Sequence, residues 1–107
     1  MYKTRSEIKK IIERYKYVLS GLGVEAETAI LYGSFAKGKP KKDSDIDLVI
    51  VSKDFRKMNL RERLEVLGIA AVRIMQPIEA RGYTPEEMNV KRPASFLEEI
   101  LATGVNV

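Results

Sequence analysis

Two aspartates stand one residue apart at the start of an apolar run. Asp45 and Asp47 flank Ile46 in "SDIDLVIVS", and the residues that follow have the Val/Ile/Leu composition of a buried strand. On a strand, side chains at i and i+2 project from the same face, with Cα atoms about 6.5–7 Å apart. Two carboxylates this close repel each other unless a cation neutralises them. The pair therefore indicates a site for a divalent metal ion.

The chemistry of the ligands narrows the choice of metal. Oxygen-only ligands favour Mg²⁺ or Mn²⁺ over zinc. Carboxylates at this spacing also suit a pair of metal ions that share ligands. The alternative is that Asp45 ends a loop and Asp47 is a charge at the end of the strand, with no metal. For Asp-x-Asp taken alone, that alternative is the commoner one.

A second group of residues precedes the aspartates by about ten positions. Gly33 and Ser34 follow the apolar residues "AILY", and Lys37 comes three residues later. Glycine lets the backbone approach a ligand closely, and amides at the start of a helical turn point at anions. A serine hydroxyl and a lysine add further donors. Taken alone, Gly-Ser is usually an ordinary turn, but beside the two aspartates it predicts a cradle for phosphate groups next to a metal.

Composition excludes several other kinds of site. The 107 residues include no cysteine and no histidine, which excludes thiol catalysis, zinc–thiolate sites and any Ser-His-Asp triad within this chain. Catalysis would have to use carboxylates, hydroxyls, Lys or Arg, backbone amides or a bound metal. The net charge of +4 is compatible with an anionic partner, but it is also ordinary for the surface of a small domain.

The elements that would position these residues follow from periodicity and capping signals. The length predicts one domain over residues 1–107, and the mixture of helices and strands predicts an α+β fold with a small mixed sheet flanked by helices. Thr4 and Asn59 are the predicted N-caps of two long helices, and Thr84 caps a turn in "TPEEM". The predicted helices cover residues 4–20, 59–75 and 94–102, and the predicted strands cover 27–32, 45–51, 77–83 and a short end in "VNV".

The second long helix should present one apolar face to the sheet. Its regularly spaced apolar residues, all predicted to be packed, are Leu60, Leu64, Leu67, Ala71 and Ile74. No apolar run approaches the roughly 20 residues of a membrane span, and the N-terminus does not read as a signal peptide. These features favour a soluble, cytoplasmic protein without a membrane partner.

The stretch "GSFAKGKPKKDSDIDLVIV" resembles the signature of the nucleotidyltransferase superfamily related to DNA polymerase β. Gly-Ser, about ten residues and then Asp-x-Asp on a strand is the superfamily pattern. The form found here is most similar to the minimal nucleotidyltransferases, small prokaryotic domains often paired with a HEPN-domain protein. The close match covers about twenty residues, and the order of elements matches more loosely over nearly the whole chain.

The resemblance implies roles for particular residues. Gly33 and Ser34 would hold the triphosphate of a nucleotide with help from Lys37, while Asp45 and Asp47 would hold the metal ions, Mg²⁺ or Mn²⁺. The family usually has a third catalytic carboxylate on a later strand, and Glu79 in "PIEARGY" is the candidate here for both catalysis and metal binding. The family more often has aspartate at that position. The alternative for Glu79 is a solvated strand residue, and Glu86 and Glu87 are interpreted as structural residues at a helix start.

Three functions remain open from the sequence. The first is a metal-dependent enzyme that transfers a nucleoside monophosphate, with ATP as the implied donor, to a hydroxyl. The resemblance implies that this hydroxyl belongs to a HEPN-type partner in a toxin–antitoxin pair. The second is a catalytically weak nucleotide-binding module that works only with a partner chain. The third, a nucleic-acid binder, is the weakest, because the predicted strands lack a set of aromatics for base stacking. A homodimer is also compatible with the sequence.

Overall fold

A computed structural model describes residues 4–33, 45–89 and 104–107. In chain order, its elements are α1 (Arg5–Gly21), β1 (Thr28–Tyr32), β2 (Ile46–Val51), a 3-10 helix (Lys53–Lys57), α2 (Leu60–Arg73), β3 (Ile78–Tyr83), α3 (Pro85–Met88) and β4 (Val105–Asn106). The α+β prediction is confirmed. Ser34, Lys37 and the predicted helix over residues 94–102 lie outside the described residues.

The N-terminal helix begins and packs as its sequence predicts. Thr4 accepts a hydrogen bond from the Glu7 backbone N–H, and the Glu7 side chain accepts one from the Thr4 N–H, which forms a capping box. The stripe of apolar residues on α1 is buried against the sheet and α2. Within it, the buried Tyr15 hydroxyl donates to the Leu67 carbonyl at 2.7 Å, so α1 and α2 are joined by a hydrogen bond as well as by apolar contact.

The four described strands form one mixed sheet in the order β3-β2-β1-β4. β1 runs antiparallel to both β2 and β4, whereas β2 and β3 are parallel and are connected through α2. Because directly paired residues share a face, the register divides the sheet into two sides. Ile46, Leu48 and Ile50 of β2 lie in the main core with α1 and α2. Asp47, Val49 and Val51 project from the opposite side.

That opposite side is apolar at one end and polar at the other. Val49 and Val51 are buried there with Ile30, and Tyr83 is among the residues that pack against them. Asp47, at the start of the same strand, is half-buried. The buried stretch of β2 therefore holds the aspartate firmly at the polar end, which is the geometry that a site built on a strand requires.

The predicted packing face of α2 is partly wrong. Leu67, Ala71 and Ile74 are buried as expected, but Leu60 is 71% exposed and Leu64 is 49% exposed. Apolar residues recur at helical spacing up to the N-terminus of α2. The first two of them, Leu60 and Leu64, lie outside the part of the helix that packs on the core. Arg63 packs inward there instead, donating to the carbonyls of Phe55 and Gly82. Within the described part of the chain, no helix combines the length and apolar character needed to cross a membrane.

Gly82 and Gly68 offer a matched test of this packing. A Cβ on Gly82 would lie 2.7 Å from two ring carbons of the buried Phe55, whereas a Cβ on Gly68 in α2 would meet nothing within 4 Å. We expect Gly82→Ala to lower the free energy of unfolding by about 1–3 kcal/mol through overpacking. Gly68→Ala should raise it by about 0.5–1 kcal/mol, because alanine is the better helix former. Denaturant titration measures both, and a neutral Gly82→Ala would contradict the tight contact.

Candidate active site

Three residues of the candidate site occupy neighbouring positions on adjacent strands. The register pairs Asp47 of β2 with Tyr32 of β1 on one side and with Glu79 of β3 on the other. All three side chains therefore start from the same face of the sheet. Asp45 lies immediately before β2 and is exposed. The structure thus brings Asp47 and Glu79 together, as the sequence analysis expected, with Asp45 two residues from Asp47.

Gly33 directly follows the strand that borders Asp47. Its φ of +74° is in the left-handed region that favours glycine. A Cβ at this position would collide with the Asp47 carboxylate, meeting Oδ2 first and lying 3.1 Å from Cγ. The backbone of Gly33 and the carboxylate of Asp47 are therefore in contact because no side chain separates them. The approach of this backbone to a phosphate group, which the Gly-Ser pair predicted, remains a prediction.

The electrostatic environment of Asp47 is unfavourable for its negative charge. Burial raises the pKa of Asp47, the charges of Glu79 and Asp45 raise it further, and Arg81 partly opposes them. Folding thus brings the charges of Glu79 and Asp45 to act on one half-buried carboxylate, which makes the charged form of Asp47 less favourable. A divalent cation would remove that cost.

Arg81 and Tyr32 belong to this face but were missed by the sequence analysis. Arg81 lies two residues beyond Glu79 on β3, and its register partner is Val49. Its side chain hydrogen-bonds with the side chain of Tyr32, which lowers the pKa of Tyr32, while burial and the charge of Asp47 raise that pKa more strongly. Alternation along β3 could have placed Arg81 beside Glu79, because residues at i and i+2 share a face.

The donor set fits the metal ions that the sequence predicted. Asp45, Asp47 and Glu79 offer only carboxylate oxygens, which suits Mg²⁺ or Mn²⁺. The charges of the other two carboxylates already act on Asp47, so a bound cation would be stabilised by all three. In residues 4–33, 45–89 and 104–107, however, no three acidic side chains close around a single point. A metal would have to draw them together, with help from the oxygens of its nucleotide.

The other carboxylates near β3 have structural partners. Glu87 accepts a hydrogen bond from the Thr84 N–H at 2.7 Å and pairs with Arg63, whose side chain is 13% exposed. Glu86 pairs with Arg56 at 2.5 Å. Both residues stabilise the start of α3 and its contact with the rest of the chain, as their position at a helix start suggested.

Asp47→Asn should stabilise the metal-free protein. A carboxyl whose pKa is higher in the folded state binds its proton more tightly there. The stability it contributes is complete below its ordinary pKa of 3.8 and is lost as pH rises through the folded-state pKa. Asparagine stays uncharged at every pH, so it avoids this loss of stability. We therefore expect the variant to be more stable than wild type at neutral pH in the absence of metal.

Thermal unfolding in a metal chelator, from pH 4 to pH 7, measures this difference. The gap between Asp47→Asn and wild type should widen as pH rises. Glu13→Gln on α1 is the control for the loss of one exposed carboxylate, and it should show no such gain. A variant that is less stable than wild type at every pH would show that Asp47 is a structural residue.

Comparison with known proteins assigns the fold and the family. The family described as Polymerase beta, Nucleotidyltransferase matches residues 6–107. Two proteins of Methanocaldococcus jannaschii, both provisionally named protein adenylyltransferases, are 32% identical over 65 residues and 38% identical over 48 residues. These matches cover 61% and 45% of this chain. They span 64% and 55% of the relatives, which is less than two thirds of either protein's length.

Two solved structures share the fold. A crystal structure of a provisionally identified nucleotidyltransferase from Sulfolobus solfataricus aligns over 99% of this chain and 89% of its own, with a TM-score of 0.57 and 22% identity. A toxin–antitoxin crystal structure with AMP-PNP aligns over 92% of this chain and 68% of its own, with a TM-score of 0.53 and 18% identity. With the family match over nearly the whole sequence, the chain belongs to the polymerase β-type nucleotidyltransferase family.

Proposed function

We propose that this chain is a metal-dependent nucleotidyltransferase that transfers AMP from ATP to a hydroxyl group on a partner protein. One observation carries the proposal: Asp47 is held between the backbone of Gly33 and the register position of Glu79, with Asp45 close enough to raise its pKa. A half-buried carboxylate surrounded by like charges is costly unless a cation uses it. The names of the two archaeal relatives support adenylyl transfer to protein.

Each proposed residue has a defined task. Gly33 brings its backbone to the triphosphate, and Ser34 and Lys37 add a hydroxyl and a positive charge to the same group. Asp45, Asp47 and Glu79 would hold Mg²⁺ or Mn²⁺. When bound, the metal neutralises charge on the phosphates and fixes their orientation. The buried β2 strand keeps Asp47 in place, so much of the rate enhancement would come from positioning.

The reaction is a single in-line substitution. The acceptor hydroxyl oxygen forms a bond to the α-phosphorus of ATP as the bond from that phosphorus to the pyrophosphate oxygen breaks. Glu79, the more exposed of the two paired carboxylates, takes the hydroxyl proton, and pyrophosphate leaves. The products are an adenylylated acceptor and pyrophosphate, so no oxidant or further reactant is needed.

The partner that supplies the hydroxyl is proposed to be a HEPN-type toxin, which would make this chain an antitoxin. The structural relationship to a toxin–antitoxin protein, whose crystal structure contains AMP-PNP, supports this partner class. Residues 1–107 are proposed to be one catalytic domain that receives its acceptor from another chain.

Isotope transfer tests this function. The chain is incubated with Mg²⁺ and ATP labelled at the α- or the γ-phosphate, together with synthetic peptides that carry Tyr, Ser or Thr. We expect peptide-bound label from α-labelled ATP only, with release of pyrophosphate. Transfer from γ-labelled ATP would indicate a kinase, and replacement of ATP by the other nucleotides measures base preference.

A second candidate is a nucleotide-binding module that needs a partner to complete its site. The open arrangement of the three carboxylates favours it, because in the described residues they do not close around one point. Such a module would bind ATP and Mg²⁺ but transfer no label to any peptide or protein.

A further inference from the structure

Among the described residues, no strand pairs with the outer edge of β3. β3 is at one end of the sheet order formed by the described strands. Ile46 N donates to the Pro77 carbonyl at 2.7 Å, and Ser52 N donates to the Tyr83 carbonyl at 3.0 Å. Along a strand, the backbone N–H and carbonyl groups of successive residues point to opposite neighbours. The backbone groups of the odd-numbered residues from 77 to 83 therefore point towards β2. The backbone groups of Ile78, Ala80 and Gly82 therefore point away from the sheet.

Contacts within the described chain occupy only the two ends of that edge. The Ile78 N–H donates to the Gln76 carbonyl at 2.9 Å, and the Gly82 carbonyl accepts from Arg63 at 3.3 Å. Ala80 lies between them, with its N–H and carbonyl directed outward by the alternation. The centre of the edge thus presents a donor and an acceptor to an incoming backbone.

A groove of about 610 Å³ runs along this edge, between β3 and the start of α2. Its apolar wall includes Met58, Leu60 and Leu64. Leu60 and Leu64 are two of the apolar side chains that α2 leaves exposed, at 71% and 49%. Two neighbouring exposed leucines beside an open strand edge are typical of a surface that another chain covers.

The groove is continuous with the candidate active site, because Glu79 lines both. Its charged residues are balanced, with Arg63 and Arg81 against Glu79 and Glu87. A nearly neutral, apolar wall with backbone hydrogen-bonding groups is complementary to an extended polypeptide. It is a poor match for nucleic acid, whose phosphates require an excess of positive charge.

We propose that the acceptor reaches the site as an extended polypeptide segment that pairs with the outer edge of β3 and covers Leu60 and Leu64. This inference rests on the proposed transfer to a protein hydroxyl. An added strand lies about 4.8 Å from β3, and its residue opposite Glu79 projects from the same face of the sheet. A Tyr, Ser or Thr there would place its hydroxyl beside Glu79 and near Asp47, which is where the proton must be taken.

Arrayed nonapeptides with a central Tyr, Ser or Thr test this mode of binding. Wild type is compared with two groove variants. Ala80→Pro removes the outward N–H and leaves the bonds to β2 in place, since proline is tolerated where an edge strand faces outward. Leu64→Asp puts a charge into the apolar wall. Val72→Asp is the matched control, because Val72 is on the same helix, is 76% exposed and lies outside the groove.

We expect both groove variants to weaken peptide binding and label transfer by about tenfold or more, the effect of losing one well-buried contact. Val72→Asp should behave like wild type. All four proteins should bind ATP with Mg²⁺ equally, and melting curves show that each is folded. Equal peptide binding by all four proteins, or no peptide binding by wild type, would contradict the proposal that the acceptor binds in this groove.

Three further results would also overturn the proposal, and each points to a different cause. If the peptide and ATP both bind but no label is transferred, the segment that binds in the groove is not the acceptor. If wild type does not bind ATP with Mg²⁺, the result would instead contradict the proposed nucleotidyl transfer itself. Sedimentation measures the oligomeric state of wild type and the variants. If wild type is a dimer and both Ala80→Pro and Leu64→Asp are monomers, a second copy of this chain occupies the edge of β3.

Discussion

Asp47→Asn should reduce nucleotidyl transfer by about 10³-fold while the protein remains folded. Asparagine has nearly the same shape as aspartate but carries no charge, so it cannot neutralise a divalent cation. Asp47 is also the carboxylate that the strands hold most firmly, between β1 and β3 in the register. Its loss cannot be replaced by Asp45, which lies outside the strand and is exposed.

The measurement is the initial rate of label transfer from α-labelled ATP, with the melting temperature determined in parallel. Asp47→Asn should show this roughly 10³-fold lower rate and, without metal, be at least as stable as wild type. Glu13→Gln on α1, the helix that packs on the face of the sheet opposite to Asp47, should leave the rate unchanged. Transfer at the wild-type rate by Asp47→Asn would exclude a metal-binding role for this residue.

Gly33→Ala should be the second most damaging change, with a loss of transfer of about 10²-fold. Two effects combine. Alanine is strained at a φ of +74°, which costs about 1–2 kcal/mol, and its Cβ would collide with the Asp47 carboxylate. The methyl group should therefore displace the Asp47 carboxylate, the proposed metal ligand, and block the proposed approach of the Gly33 backbone to the phosphates.

Gly23→Ala separates these two effects. Gly23 also has a positive φ, of +94°, but a Cβ there would meet nothing within 4 Å. This control should lose a similar amount of stability and keep its rate of transfer. If both alanine variants lost activity equally, general destabilisation rather than the contact with Asp47 would explain the loss.

Local signals were sufficient to predict the strands and helices that carry this site. The apolar run after Asp45 predicts β2, whereas the pairing of Asp47 with Glu79 depends on the contact between β2 and β3, which are distant in sequence. The capping boxes at Thr4, Asn59 and Thr84 are all formed, because each joins a side chain to a backbone N–H three residues away. Predictions of this kind succeed because the interacting groups are close in sequence.

Features that depend on distant parts of the chain were missed. The periodicity of α2 put Leu60 on the packed face, but the end of the sheet leaves it exposed beside the edge of β3. The role of Arg63 follows from Phe55, Gly82 and Glu87, which meet only in the folded protein. The link between Arg81 and Tyr32 likewise spans three strands.

Ligand-dependent stability tests the central claim most directly. Thermal unfolding is measured with and without ATP and Mg²⁺, for wild type and for the Asp45→Asn/Asp47→Asn double variant. ATP at about 100 times its dissociation constant adds about 2.7 kcal/mol, which raises the melting temperature of a domain of this size by several degrees. We expect this rise in wild type only when both ATP and Mg²⁺ are present, and none in the double variant. An equal rise in both proteins, or no rise in wild type at millimolar ATP, would contradict a nucleotide–metal site built on these aspartates.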